Sequence, residues 1–375
     1  MHETIFQIKN KSTECKARTG IIKLPHGDVT TPVFMPVGTN GTVKAMTNEA
    51  LNEIGFEIIL ANTYHLFLRP GQDVINAAGS LHDFCKWQKN ILTDSGGFQI
   101  FSLANLRKIT LEGARFRSHI DGSEHFLTPE NVVDIQCVFQ SDIQMQLDVC
   151  VPWETSYKDA AEALAITNDW LTRAKETYQK HYDTGYGGKF FSIVQGNFYK
   201  DLREKSAEAV RKADTQGAAI GGLSVGEPHD VFSEYLSFTA ALLPEEKPRY
   251  VMGIGTPDYI LEAIENGIDM FDCVSPTREA RNGWLLTSCG QLSIKKQEYA
   301  ASLDPVDNEC DCHVCKTYSR SYLKHLFKAG EILFSMLATY HNLYFLNKLV
   351  NDARAAIAAD NFLSFKKEFL KKYYG

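Results

Sequence analysis

Eight short apolar segments recur along the chain, and most are separated by stretches with helical patterns. Strands that alternate with helices form parallel sheets with right-handed crossovers, and eight such strands favour a closed (β/α)8 TIM barrel over an open sheet. Barrels of this kind routinely exceed ordinary domain size, so 375 residues do not require several domains. The predicted strands are Val33–Val37, Ile58–Ala61, Ile91–Thr93, Ile143–Leu147, Phe190–Val194, Ala218–Ile220, Tyr250–Met252 and Met270–Phe271.

Polar residues and glycines stand where these segments end. The carboxyl ends of barrel strands meet on one face, and active sites of such barrels lie there. A purely structural role would scatter these residues over both strand ends, so we expect a functional site at this face. The residues are Asn62, Asp94, Asp148, Gln195, Gly221, Gly222, Gly253 and Asp272.

Two regions do not follow the strand–helix repeat. Residues 109–128 alternate in strand fashion around Asp121 and Gly122, which together are a strong hairpin signal. We therefore predict a β-hairpin insertion over 102–127, after strand three. About 100 residues follow strand eight. We predict a catalytic barrel with an N-terminal β segment over 1–275, and a zinc-binding subdomain with closing helices over 276–375.

A cysteine cluster in the last hundred residues predicts a metal site. Three thiolates and one imidazole complete a tetrahedral zinc shell of the structural type, with no open position for water. We expect one Zn²⁺ per chain. His313 and His325 compete for the fourth position, although His313 stands close to its neighbours in the loop. The predicted ligands are Cys310, Cys312, Cys315 and His341.

Charge and hydropathy restrict the partners and the compartment. The formal net charge of −7 gives no general affinity for nucleic acid or anionic membrane, but the residues after 275 are net basic. That asymmetry indicates either simple scatter or a face that meets a polyanion. No signal-peptide core and no apolar run of about 20 residues is present. We expect a cytoplasmic protein with reduced thiols and no membrane partner.

Two aspartates end strands three and eight. Asp94 lies in the segment TDSGGFQ and Asp272 in MFDCV. A single aspartate after a strand is more often a helix cap. Two carboxylates at one barrel mouth, however, permit nucleophile and acid/base roles, as in glycosyl transfer with retention. The adjacent glycines allow close approach of a ligand, and Phe98 could stack on a planar ring.

The combined motifs resemble those of the tRNA-guanine transglycosylase, or queuine tRNA-ribosyltransferase, family in its bacterial form. The resemblance runs from about Arg18 onward and includes the zinc signature. It implies exchange of guanine at the wobble position (34) of tRNAs with G-U-N anticodons for a free 7-deazaguanine base in queuosine biosynthesis, without ATP or a redox cofactor. The motifs are DSGGFQ (94–99), IVQG (193–196), GGLSVGE (221–227), MGIGTP (252–257) and FDCVSPTREARNG (271–283).

The resemblance also implies roles for individual residues. Asp272 matches the nucleophile that forms a covalent ribosyl intermediate. Asp94 matches the proton acceptor and donor for the departing and incoming bases. The implied substrate-binding residues are Asp94, Ser95, Gly96, Gly97, Phe98, Asp148, Gln195, Gly222, Leu223 and Met252.

Two segments match those that contact the tRNA anticodon loop in the family. Arg278 and Arg281 supply cations where phosphates must pass. Glu279 departs from the family pattern, which usually has asparagine there, and Val149 replaces a frequent acidic residue. The family also implies a homodimer. The implied RNA-binding residues are Gly253, Ile254, Gly255, Thr256, Pro257, Asp258, Tyr259, Thr277, Arg278, Glu279, Ala280 and Arg281.

Several alternatives remain open. Val225 matches the bacterial pattern that favours 7-aminomethyl-7-deazaguanine, whereas direct queuine salvage would require a wider pocket. A non-catalytic RNA-binding accessory subunit of the same fold typically loses the aspartates that this chain keeps. An archaeal-type enzyme would need a further RNA-binding region. A glycosidase barrel would not explain the cysteine cluster or the GGLSVGE motif.

Overall fold

The computed structural model describes residues 4–103 and 107–375. It begins with an antiparallel sheet in the order β1 (Phe6–Lys11), β2 (Arg18–Leu24) and β3 (Gly27–Thr31). Apolar side chains of this sheet, including Ile22 and Val29, share one buried cluster with the inward-facing side chains of the barrel. Since Asp269, just before the eighth barrel strand, pairs with Arg18, the sheet closes the amino-terminal end of the barrel.

The first three barrel strands are β4 (Val33–Gly38), β5 (Ile58–Asn62) and β6 (Asn90–Asp94). A separate three-stranded antiparallel sheet follows: β7 (Arg107–Ile109), β8 (Ala114–Arg117) and β9 (Glu124–Leu127). The hairpin predicted around Asp121 and Gly122 is confirmed as the β8–β9 turn, where Gly122 has φ +75°. At the predicted start of this insertion, residues 102–103 end a helix, and 104–106 lie outside the described residues.

Five more strands complete the barrel: β10 (Ile143–Met145), β11 (Lys189–Val194), β12 (Gly217–Ile220), β13 (Arg249–Val251) and β14 (Met270–Cys273). The strands form one closed ring in the order β10-β11-β12-β13-β14-β4-β5-β6. β14 closes it by pairing in parallel with β4, with Met270 opposite Val33. The predicted TIM barrel is confirmed, and each predicted strand coincides with an observed one.

Strand side chains alternate between two buried surfaces. On β4, Val33, Met35 and Val37 point into the barrel interior, whereas Phe34 joins the core between strands and helices. Because strand side chains have a period of two and both faces of a barrel sheet are covered, the strands are continuous apolar runs. This double burial explains why the strands could be predicted from apolar runs alone.

Helices cover the outside of the barrel. Thr128 begins one of them with a capping box, and Pro129 takes its first turn, as the sequence indicated. The helices up to α11 are α1 (Asn48–Ile54), α2 (Thr63–Leu68), α3 (Gln72–Ala78), α4 (Leu81–Cys85), α5 (Gly97–Leu103), α6 (Pro129–Val138), α7 (Tyr157–Asp183), α8 (Lys200–Ala213), α9 (His229–Leu242), α10 (Pro257–Glu265) and α11 (Ser275–Arg281).

The remaining elements are the hairpin β15 (Trp284–Thr287) and β16 (Gly290–Ser293), a 3-10 turn (Gln297–Ala300), α12 (His313–Thr317), α13 (Arg320–Ala329), α14 (Ile332–Ala358) and α15 (Phe362–Tyr374). Helix α14 returns to the barrel, where Asn347 donates to the Ile54 carbonyl over 2.8 Å. The region after 275 therefore shares its core with the barrel. Among the described residues, no helix combines the length and apolar character needed to cross a membrane.

Candidate functional site

Asp94 lies at the carboxyl end of β6, where it accepts hydrogen bonds from three neighbours. The Asn62 side chain donates over 2.5 Å, and the amides of Thr63 and Gly96 donate over 3.2 and 3.1 Å. Burial nevertheless raises the pKa of Asp94 to about 7, and the nearby charge of Asp272 adds to the rise. The structure thus brings the two predicted catalytic carboxyls close enough to influence each other. A group with this pKa can hold or release a proton near neutral pH.

Asp272 lies at the carboxyl end of β14, with one carboxylate oxygen anchored. Oδ1 accepts hydrogen bonds from the Tyr250 hydroxyl and, over 3.1 Å, from the Gly253 amide. Oδ2 has no hydrogen-bond donor among the residues that the structure describes. Burial raises the pKa of Asp272, and the two donors oppose that rise. One oxygen therefore fixes the carboxylate, while the other keeps its lone pairs available.

A second polar group lies beside Asp94 at the barrel mouth, after the ends of β10 and β11. The Gln195 side chain donates to Asp148 Oδ2 over 2.6 Å. Burial raises the pKa of Asp148 to about 6, and the hydrogen bond from Gln195 opposes the rise. A Cβ on Gly222 would lie 2.5 Å from Gln195 Oε1, so this glycine packs directly on the glutamine. These residues form the set of donors and acceptors that a planar heterocycle would need.

The DSGGFQ loop begins with Asp94 and packs against Asp148. A Cβ on Gly97 would lie 2.7 Å from the Asp148 backbone oxygen, so only glycine permits this approach. Gly96 has φ +83° and packs on Tyr64. Ser95 is buried, and its hydroxyl accepts from the Gly97 amide over 3.3 Å. The loop therefore packs closely against Asp148.

Two of the implied substrate-binding residues, Phe98 and Met252, carry apolar side chains that remain at least partly accessible. Phe98, on the first turn of α5, is 51% exposed. Met252 follows β13, is partly buried and packs on the inner cluster of the barrel. Leu223 is buried in the loop after β12. The Glu227 carboxylate holds that loop by accepting a hydrogen bond from the Val225 amide over 2.8 Å.

One predicted RNA-contacting segment leads into the first turn of α10, and the other forms most of α11 up to its last residue. Arg278 and Thr256 are exposed, and Arg281, Asp258 and Tyr259 are half-buried. Five predicted members are buried as whole residues, so they expose little surface to a ligand. They are Ile254, Gly255, Pro257, Thr277 and Ala280.

Glu279 does not point an unpaired charge toward this surface. Its carboxylate accepts a hydrogen bond from the Gln291 side chain of β16 over 2.8 Å. Burial raises the pKa of Glu279. Its departure from the family pattern is therefore accommodated by a contact within the protein.

The cysteine cluster converges as the sequence indicated. The Sγ atoms of Cys310, Cys312 and Cys315 lie 3.9, 3.5 and 3.4 Å from His341 Nδ1. His341 Nε2 donates to the Leu286 carbonyl over 2.6 Å, which leaves Nδ1 as the ligand nitrogen. All four donor atoms lie within 4.8 Å of one another, so the group could hold a metal ion. His313 and His325, the competing candidates, are exposed and outside the group.

Several contributors to the site were not predicted. Tyr250 is a fully buried barrel residue with no sequence signal for its hydrogen bond to Asp272. Arg203, on α8, is also buried and donates to the Gly221 and Gly222 carbonyls over 3.2 and 3.4 Å. Asn62 carried a signal, since it is a polar residue at a strand end. Its pairing with Asp94 required the register of β5 against β6, which places the two residues opposite each other.

Comparisons with known proteins agree with this geometry. A sequence model of the family described as queuine tRNA-ribosyltransferase matches residues 13–375. A queuine tRNA-ribosyltransferase of Treponema denticola is 58% identical over 369 residues, covering 98% of this chain and 97% of that protein. Proteins of the same name from Caldanaerobacter subterraneus subsp. tengcongensis and Borrelia hermsii are 55% and 51% identical, with at least 98% of each chain covered.

Proposed function

The chain belongs to the queuine tRNA-ribosyltransferase family, the tRNA-guanine transglycosylases, and on that premise we propose that it exchanges guanine 34 of G-U-N anticodon tRNAs for a 7-deazaguanine base. It would act as a pentosyltransferase in queuosine biosynthesis. One observation carries this proposal for the chain itself: Asp94 and Asp272 end two barrel strands and influence each other electrostatically. An accessory subunit without catalysis would not need this pair.

In the first half of the reaction, Asp272 Oδ2 attacks C1′ of the ribose. The bond from C1′ to guanine breaks as the bond from C1′ to the aspartate forms. The hydrogen bonds that Tyr250 and Gly253 donate to Oδ1 orient the attacking oxygen. Asp94, with a pKa near 7, supplies the proton that the departing guanine requires.

The second half reverses these roles with a different base. The incoming 7-deazaguanine occupies the pocket that guanine has left and attacks C1′, and Asp272 departs as a carboxylate. Asp94, now ionised, accepts the proton that the incoming base loses. Two displacements at one carbon retain the configuration of the glycosidic bond.

Recognition of the base would rest on the group around Asp148. Carboxylate and amide acceptors suit the N–H donors of a guanine-like edge, and burial strengthens such bonds. Gln195, Gly222 and Leu223 would complete the protein surface that binds this edge of the base. Phe98 and Met252 would offer apolar surfaces to its ring. Val225 would narrow the space beside the 7-substituent, which favours 7-aminomethyl-7-deazaguanine over queuine.

The exchanged nucleotide must leave the stack of the anticodon loop to enter this pocket. Arg278 and Arg281 lie on α11, the helix that follows Asp272 in the chain. They would attract the phosphates on either side of the exchanged nucleotide. Thr256, Asp258 and Tyr259 at the start of α10 would form the opposite wall. The buried members of both segments would support the exposed ones from below.

We propose that the cysteine cluster holds one structural Zn²⁺. The donor set of three thiols and one imidazole suits zinc, and the Leu286 carbonyl fixes the ligand nitrogen of His341. The bound ion would tie the 310–315 loop to α14. It would take no part in the exchange reaction.

The homodimer implied by the resemblance would form at the surface beside this cluster. Leu303, which is 85% exposed, lines a cavity of about 530 Å³ there together with Tyr322 and Cys315. Covering this apolar surface would favour a closed two-fold pair. Sedimentation at micromolar concentration should give twice the chain mass of 42.1 kDa. A cytoplasmic location follows from the proposed tRNA substrate.

Incorporation of labelled guanine into unmodified tRNA with a G-U-N anticodon tests the proposed function. The wild-type protein should label tRNA that carries guanine 34, and tRNA with adenine at that position should stay unlabelled. Trapping with excess tRNA should also give a denaturation-resistant protein–RNA adduct. A protein that binds this tRNA yet neither labels it nor forms an adduct would be an accessory subunit instead.

A further inference from the structure

The last turn of α15 lies beside both segments that we assign to the anticodon loop. Helix α15 packs against α10, and Tyr374 lies near enough to Asp258 for the carboxylate charge to act on the tyrosine. On its other side, α15 contacts β16: a Cβ on Gly290 would lie 2.9 Å from the Tyr373 carbonyl oxygen. Glu279 of α11 lies near enough for its charge to act on Tyr373. The turn therefore bridges α10 and the unit formed by α11 and its hairpin.

The four lysines of α15 differ in their partners. Lys366 and Lys372 each form an ion pair with a glutamate, on α10 and in the 300–312 loop respectively. Lys367 and Lys371 are exposed, and their side chains have no ion-pair or hydrogen-bond partner within 4–103 and 107–375. Unpaired exposed lysines are available to bind an anion without first losing an internal contact.

The two unpaired lysines lie on the same side of the helix as Tyr374. Lys367, Lys371 and Tyr374 are spaced by four and three residues, which places them on one helix face. Tyr374 is 60% exposed and points this face toward Asp258 at the start of α10.

We propose that Lys367, Lys371 and Tyr374 form a third tRNA-contacting surface, which binds backbone phosphates flanking the exchanged nucleotide. This inference rests on the proposed function, because it takes tRNA as the partner. The lysines would act as point charges on the phosphates, and the tyrosine would offer a ring and a donor to sugar or base. Contacts of this kind position the RNA without reading its sequence.

Two neighbouring lysines provide the test and its control. Lys371→Gln removes an unpaired charge from the proposed surface, whereas Lys372→Gln removes an equal charge that is paired with Glu309 on a different face. The dissociation constant for unmodified tRNA is measured for the full-length protein across a range of salt concentrations. For Lys371→Gln we expect binding about fivefold weaker at 0.1 M salt and a salt slope smaller by about 0.7, as for one lost single-strand phosphate contact.

The control and the maximal rate complete the test. Lys372→Gln should bind tRNA as the wild type does, and kcat at saturating tRNA should be unchanged in both variants. Lys367→Gln should reproduce the effect of Lys371→Gln. Equal dissociation constants for Lys371→Gln and wild type would overturn the inference, as would equal losses in Lys371→Gln and Lys372→Gln. Wild-type protein that fails to incorporate guanine would instead overturn the proposed function, and this measurement does not involve the variants.

Discussion

The barrel mouth and the cysteine cluster both gather buried polar groups, but they treat them differently. At the mouth, burial raises the pKa of Asp94, Asp148 and Asp272, and Oδ2 of Asp272 has no donor among the described residues. In the cluster, four donor atoms converge on one point, and the second nitrogen of His341 is hydrogen-bonded. A carboxylate oxygen without a hydrogen-bond donor stays free to react, whereas donor atoms that all share one metal ion stabilise the fold. Substitutions should therefore affect activity in the first region and stability in the second.

The largest effect on exchange should follow Asp272→Asn. An amide cannot form the ester bond to ribose, so exchange should fall on the order of 10⁴-fold or more, as when other covalent nucleophiles are removed. Gel electrophoresis under denaturing conditions should show no protein–RNA adduct, while tRNA still binds. An adduct that persists in this variant would assign the nucleophile to another residue.

Asp94→Asn should reduce exchange by about 10²–10⁴-fold, since it removes proton transfer but leaves the nucleophile. Single-turnover kinetics should show slow formation of the adduct, in contrast to its absence in Asp272→Asn. Both variants exchange a carboxylate for an amide of the same size, so each controls for the other. A wild-type rate of adduct formation in Asp94→Asn would remove this residue from the chemistry.

Val225→Gly should change the choice of base rather than the rate of exchange. A branched side chain beside the 7-substituent disfavours queuine by overpacking, at a cost of about 1–3 kcal/mol. The variant should therefore raise kcat/KM for queuine by roughly 5- to 150-fold, because each 1.36 kcal/mol is a factor of ten. Guanine, which has no 7-substituent, serves as the control substrate. If wild-type protein already prefers queuine over 7-aminomethyl-7-deazaguanine, Val225 does not set the preference.

The pKa of Asp94 predicts a pH effect of about tenfold per unit. If protonated Asp94 assists departure of guanine, the rate of adduct formation should fall as the pH rises above about 7. Stability should change in the same direction. Because the folded-state pKa lies above the ordinary value of 3.8, the free energy of unfolding should decrease as the pH rises from about 4 to about 7.

Asp94→Asn distinguishes this origin of the pH effect from others. The variant should lose the fall in adduct formation near pH 7. It should also melt at a higher temperature than wild type at pH 8, with a smaller difference at pH 5. Identical pH dependence of melting in the two proteins would mean that Asp94 does not carry the raised pKa.

Cys312→Ser should have the smallest effect on exchange per folded molecule, within about twofold, and a large effect on folding. A structural zinc site contributes its binding energy to folding, so removal of a ligand should lower the yield and the melting temperature. Metal analysis should find one zinc per wild-type chain. Cys289→Ser is the matched control, since Cys289 is exposed and lies outside the cluster. A stable, metal-free Cys312→Ser protein would contradict the structural role.

The sequence was sufficient for the strands and for three of the metal ligands, because each is encoded within a few neighbouring residues. A strand covered on both faces is a continuous apolar run, such as Ile58–Asn62. The spacing of Cys310, Cys312 and Cys315 places three thiols on one short loop, whatever the rest of the chain does. The motifs around Asp94 and Asp272 were local in the same way.

Partners distant along the chain depended on the tertiary structure. His341 is distinguished from His313 and His325 only because α14 passes the loop on the side that carries His341. The pairing of β13 with β14 places Tyr250 beside Asp272, and the pairing of β5 with β6 brings Asn62 opposite Asp94. Local periodicity specifies which face of an element is buried, but not which residue of another element it meets. The sequence alone therefore determined the elements and the reacting groups, whereas the packing of those elements decided which side chains orient them.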